Sequence, residues 1–202
     1  MAIITASEAR QYIPGITGTA QDTDIDKLIA RAGAAIAAFL GFPTVDGAED
    51  PTVEQATYTE FYDGSPTETL TLGIFPVISV TSVHDDPDRV YGADTLVATN
   101  DYEIDKRAGK LILTPTAALN GWTRRRRAQK VVFVAGWASG TIDRRIVETC
   151  IEEVAVRWRR RPSTGLTSVS GGKGSASVRD PSALLPESEE RLSALRLPRA
   201  LL

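Results

Sequence analysis

An α+β fold, a helical bundle with a small antiparallel β-sheet and an extended C-terminal arm, is what this sequence predicts. Three observations carry the prediction. The stretch from Thr141 to Arg161 holds a single helical period, with Ile142, Ile146, Val147, Cys150, Ile151, Val154 and Trp158 recurring at three- and four-residue steps. Between residues 56 and 135 the apolar period falls to two, in short runs separated by turn residues. Past Pro162 the composition becomes that of a glycine- and serine-rich linker.

The chain has 202 residues, 42% hydrophobic and 24% charged, enough for one real core. A domain over residues 1–162 followed by an arm over 163–202 is expected. No apolar run approaches the ~20 residues of a membrane span, and the first ten residues lack the basic and apolar regions of a signal peptide. The expectation is a chain that is neither exported by such a peptide nor anchored, without a membrane partner. Cys150 is the single cysteine, so an intramolecular disulfide is excluded and a thiolate zinc site lacks its second ligand. The formal charge of −3 hides an asymmetry. Up to Asn120 there are 18 acidic and 7 basic residues, a net of −11, and from Gly121 on 8 acidic and 16 basic, a net of +8.

In chain order, Thr5 and Glu8 have the spacing of a capping box, and Pro14-Gly15 closes a short helix over 5–13. A second helix over 22–40 carries Ile25, Leu28, Ile29, Ala32, Ile36, Phe39 and Leu40 on one face and stops at Gly41. Asp22, Asp24 and Asp26 at its start lack the glycine and distal glutamate of a calcium loop, and acidic capping of a helix is the simpler reading. After a polar stretch from Thr44 to Pro51, strands are expected at 56–63, 68–75, 77–83, 95–99 with 102–104, 110–114 and 130–135, joined by hairpin links into an antiparallel sheet. Asp85, Asp86, Asp88 and Asp94 could collect a cation, but they share a loop with Pro87 and Gly92, where such acids more often serve solubility. His84, the single histidine, has no nucleophile at a readable spacing.

Arg124, Arg125, Arg126 and Arg127 form the densest charge run, directly before the strand at Lys130. No interleaved aromatic pattern accompanies it and the chain is acidic overall, so a solvated loop or a contact to an acidic neighbour is expected. The third long helix, over 141–161, ends in Arg157, Arg159, Arg160 and Arg161, which suit the negative end of its dipole, and Pro162 stops it. Gly172-Lys173 fails as a phosphate loop: Gly174 follows the lysine, and Thr167 stands where the first glycine belongs. A last short helix from Pro186 to Leu197 carries Leu192 and Leu195, with Leu185 beside it. It either docks on a neighbour, adding little to the stability of its own subunit, or stays a frayed tail.

This order of parts resembles the head-tail connector proteins of tailed bacteriophages, also called adaptor or head-completion proteins, with prophage and gene-transfer-agent members. The likeness rests on Ala37-Ala38-Phe39-Leu40-Gly41, on the stretch from Phe75 to Val83, on Asp101-Tyr102 followed by Gly109-Lys110-Leu111, and on Val134-Ala135-Gly136-Trp137 leading into the Thr141 helix. It covers about Ala2 to Pro162 and departs at Thr44 to Pro51 and at Arg124 to Arg127, so contacts made there are not carried over. The resemblance implies a homo-oligomeric ring, a dodecamer, in the virion neck, assembled in the host cytoplasm. Its partners would be the portal protein, a tail-side stopper or neck protein, and double-stranded DNA passing through without specific binding. It implies no catalytic residues, metal or cofactor, and the sequence itself offers none.

The reading from sequence is therefore a structural connector. The alternative is a nucleic-acid-binding module using its arginine clusters. Leu185, Leu192, Leu195, Leu197 and Arg124 to Arg127 are the expected partner-binding residues. The acidic first 120 residues are expected to supply the wall of a DNA channel.

Overall fold

The computed structural model describes residues 2–45, 47–138, 140–161, 168–171, 174–177 and 183–197. The fold is α+β and divides into two compact units: Met1–Gly41 with Ser139–Arg196, and Phe42–Ala138 with Leu197–Leu202.

The first unit is helical. Its α1, Ala6–Arg10, opens with the expected capping box: the Glu8 carboxylate accepts from the Thr5 amide at 2.7 Å, and Thr5 Oγ1 accepts from the Glu8 amide at 3.2 Å. The helix is shorter than expected, because after Gln11 the chain continues in tight turns to Ile13. The long α2 spans Asp22–Leu40, with Gly41 as its stop, and buries Ile25, Ile29, Ala32, Ile36, Ala37 and Leu40. Its cap residue is Gln21, whose side chain makes no cap bond, so Asp22 and Asp24 act on the dipole from within the first turn rather than as caps. Asp143 caps α3, Arg144–Arg160, accepting from the Arg145 amide at 2.9 Å, which sets the start three residues later than the apolar period suggests. Ile146, Cys150 and Val154 of α3 are fully buried, and α3 packs on α2. Trp158 is half-buried, with the Arg161 guanidinium 4.3 Å from its ring centre. Burial pushes the Cys150 thiol up to about 12.

Beyond α3, two short strands pair antiparallel: β7, Ser168–Gly171, with β8, Gly174–Ser177. Gly172 and Lys173, like residues 162–167 of the expected tether, lie outside the described residues. The last helix, α4, spans Pro186–Ser193 and docks on α3 of its own chain. The hinge of that docking is Glu153, 2% exposed, whose Oε1 accepts from the Leu185 amide at 2.7 Å and from Ser188 Oγ at 2.8 Å. Arg191 adds an ion pair to Glu152 at 2.9 Å.

The second unit holds two three-stranded antiparallel sheets where one was expected. The first, in the order β1-β6-β3, contains β1, Ala56–Tyr62; β3, Val77–Asp85; and β6, Gln129–Ala135. The second, in the order β2-β5-β4, contains β2, Thr69–Thr71; β4, Tyr102–Asp105; and β5, Lys110–Leu113. Alternation marks a strand but not its partner, and here β6, the latest of these six strands in sequence, sits between two early ones. The expected strand at 95–99 is absent. Ala93–Thr95 and Thr99–Asp101 are single 3-10 turns, and Leu96 between them makes one isolated bridge to His84. Alternate residues of β6, Gln129, Val131, Phe133 and Ala135, face inward, and Phe133 meets Tyr58 with ring centres 5.9 Å apart. Gly136 is required where the chain leaves β6: its φ is +103°, and a Cβ there would lie 2.5 Å from the Glu54 carbonyl oxygen.

Candidate interaction site

At one end of the β1-β6-β3 sheet, three loops converge because Gln129 pairs with both Tyr62 and Asp85 in the register. The loops are those leaving β1 at Asp63, leaving β3 at Asp86, and entering β6 through Arg124 to Arg127. A buried polar network fixes them to one another. Gln129 Nε2 donates to Asp85 Oδ1 at 2.7 Å and to the Thr123 carbonyl at 3.0 Å, and Asp85 Oδ2 accepts from the Thr123 amide at 3.1 Å. Gly64 makes this possible, since a Cβ there would collide with the Thr123 carbonyl oxygen. Asp63 Oδ1 accepts from the Arg127 amide at 2.7 Å, and the Arg125 carbonyl accepts from the Gly64 amide at 3.0 Å. The arginine run is thus a tight turn with its backbone pinned on both sides and its side chains exposed.

The loop after β3 is built around Asp86, whose buried carboxylate accepts from the amides of Asp88 at 2.8 Å, Val90 at 2.9 Å and Tyr91 at 2.7 Å. Those bonds, the one from Tyr91 foremost, hold its carboxyl below the usual carboxylate range. They also hold Arg89 and Tyr91 at φ 63° and 56°, a region that residues other than glycine seldom occupy. The product is a hook with Val90 at its tip, 79% exposed. Tyr91 locks the hook to the arginine turn, its hydroxyl donating to the Arg127 carbonyl at 2.6 Å.

The sequence reading missed the aromatic groups. Phe61 and Tyr91 sit together here with ring centres 5.4 Å apart; Arg127 lies 4.5 Å from the Phe61 ring centre and Lys130 5.6 Å from that of Tyr91. Neither aromatic is adjacent to the run in sequence, and only the strand register could have shown the cluster. His84 serves the same assembly, with Nδ1 3.2 Å from the Gly92 carbonyl. Asp85 and Asp86 are spent on protein hydrogen bonds. No group of three or more His, Cys, Asp or Glu that could hold a metal occurs among the described residues, and no helix there is long and apolar enough to cross a membrane.

The leucines named with the arginines lie elsewhere. Leu192 is fully buried within the helical unit, Leu185 and Leu195 are half-buried, and Leu197 is 6% exposed. They form no exposed apolar strip.

Set beside solved structures, the chain matches over nearly its whole length. Against a chain from the neck of an empty gene transfer agent (GTA) particle computed with C6 symmetry, the TM-score is 0.60 at 16% identity, covering 98% of this chain and 92% of the other. The chain shares the fold of this GTA neck protein. A chain from the virion of a native gene transfer agent particle gives 0.56 at 18% identity, covering 98% and 92%. One from the neck of a native GTA particle computed with C12 symmetry gives 0.52 at 15%, covering 92% and 95%. No family model and no curated protein matches the sequence.

Proposed function

We propose that this chain is a structural head-tail connector of a tailed phage or phage-like particle, forming a ring in the neck between the portal and the tail-side component and leaving a conduit for DNA. The observation that carries this reading is the likeness, across nearly the full length, to a chain of a GTA neck. Necks computed with C6 and with C12 symmetry both contain the same fold, and a ring of twelve is compatible with either. The rigid arginine turn fits such a role, because a fixed basic surface meets an acidic protein neighbour without the cost of ordering long side chains on a mobile loop. No step of chemistry is assigned to any residue.

Electron microscopy of the purified chain, alone and with its portal protein, tests the proposal. Rings, or a stoichiometric complex with the portal, are expected; a chain monomeric under both conditions would overturn it. One observation favours the alternative of nucleic-acid binding, namely the gathering of arginines with Phe61 and Tyr91. Both rings, however, are already covered by the chain's own cations, which leaves bases little to stack on.

A further inference from the structure

The sheet-containing unit carries two exposed surfaces that complement each other. One is the hook: Val90, 79% exposed, in a loop set against the arginine turn, with Arg89, Arg125 and Arg126 exposed and one exposed acid, Asp88, 4.0 Å from Arg125. Three hydrogen bonds to a buried carboxylate, with left-handed residues on either side, hold this valine out in water, where its side chain is covered by little of its own chain. The other is the outer face of the β2-β5-β4 sheet. There Ile112 on the central strand is 37% exposed and lies in register between Thr69 and Glu103. Glu103 and Asp105, the exposed charges of the edge strand β4, are both acidic; Lys110 lies across from Asp105, and Lys106 and Arg107 are exposed in the turn beyond it. The hook is an apolar tip with mainly basic neighbours, and the sheet face is an apolar patch beside an edge strand whose exposed charges are acidic.

We propose that the Val90 hook of one copy docks on the β2-β5-β4 face of the next, Val90 against Ile112, with the arginines against Glu103 and Asp105. The two surfaces are different patches of one chain, so the contact is head-to-tail and each copy keeps one free hook and one free face. Such a contact propagates and closes into a ring when the rotation permits. Charge complementarity selects a second copy as the occupant, since the chain itself carries both halves. The inference rests on the ring reading above and names the contact that builds the ring.

Two variants of the full chain, Val90→Asp and Ile112→Asp, test it by sedimentation, alone and with the portal protein of the same particle. Each is expected to weaken assembly at least about tenfold. Mixed in equal amounts they should form a one-to-one dimer and nothing larger, because the mixture holds one working hook and one working face. A second pair guards against misfolding: Arg125→Glu with Arg126→Glu should also weaken assembly, and adding Glu103→Lys with Asp105→Lys should restore it. Wild-type rings with both aspartate variants assembling equally well would overturn the contact and leave the connector reading intact. A mixture that stays monomeric would also overturn the contact. A wild-type chain monomeric alone and with the portal would overturn the connector reading and this contact together.

Discussion

The Asp86 carboxylate holds three backbone amides of its own loop, and it is the natural probe of the hook. Its folded pKa is depressed, so its contribution to stability is present above the ordinary carboxylate value of about 3.9 and is lost as pH falls through the lower folded value. The amide resonances of Val90 and Tyr91 should therefore hold steady from neutral pH to below about 4. They should then move together, and movement at the ordinary carboxylate value would show that the bonds are not kept in solution. Gly136 gives a second test. Gly136→Ala forces a side chain into left-handed backbone and against the Glu54 carbonyl, and should cost about 2 to 3 kcal/mol in urea denaturation.

Among the elements, α4 departs most from the sequence expectation. A short helix with a few leucines after a glycine-rich stretch suggests an arm offered outward, yet its apolar side is covered by its own chain and its start is tied to Glu153. Glu153 was legible only as one half of an i,i+4 pair with Arg157, and the pair is present at 3.5 Å. Periodicity cannot reveal that a helix 30 residues later needs the same carboxylate. Glu153→Ala should cost about 3 kcal/mol, since it strands Arg157 in a buried site and releases Leu185 and Ser188. Hydrogen exchange over residues 185–192 should accelerate in the variant. Deletion from Ser163 onward should lower the melting temperature for the same reason. Trp158→Ala should cost only about 2 kcal/mol, as half-burial and a stacked arginine warrant less than a full cavity. The helices were legible to within a few residues because burial follows one local period. The division into two sheets was not, because β6 closes a ladder with strands begun some fifty and seventy residues earlier.

At the scale of the whole molecule, the arginine turn was visible in the sequence as charge, but its rigidity and its aromatic supports were visible only in the fold. A connector whose arginines meet protein should bind duplex DNA poorly at any salt, whereas a phosphate reader loses affinity steeply as salt rises. Filter binding across a salt series separates the two, and tight binding at low salt that collapses at higher salt would favour the alternative reading. A practical consequence also follows from Cys150. Its thiol is sealed in the helical unit and held protonated well above neutral pH, so at working pH the wild-type chain is chemically silent toward maleimides and disulfide exchange. A cysteine placed at the tip of the hook, and another on the outer sheet face, would therefore report on subunit contacts against an empty background, without first removing a native thiol.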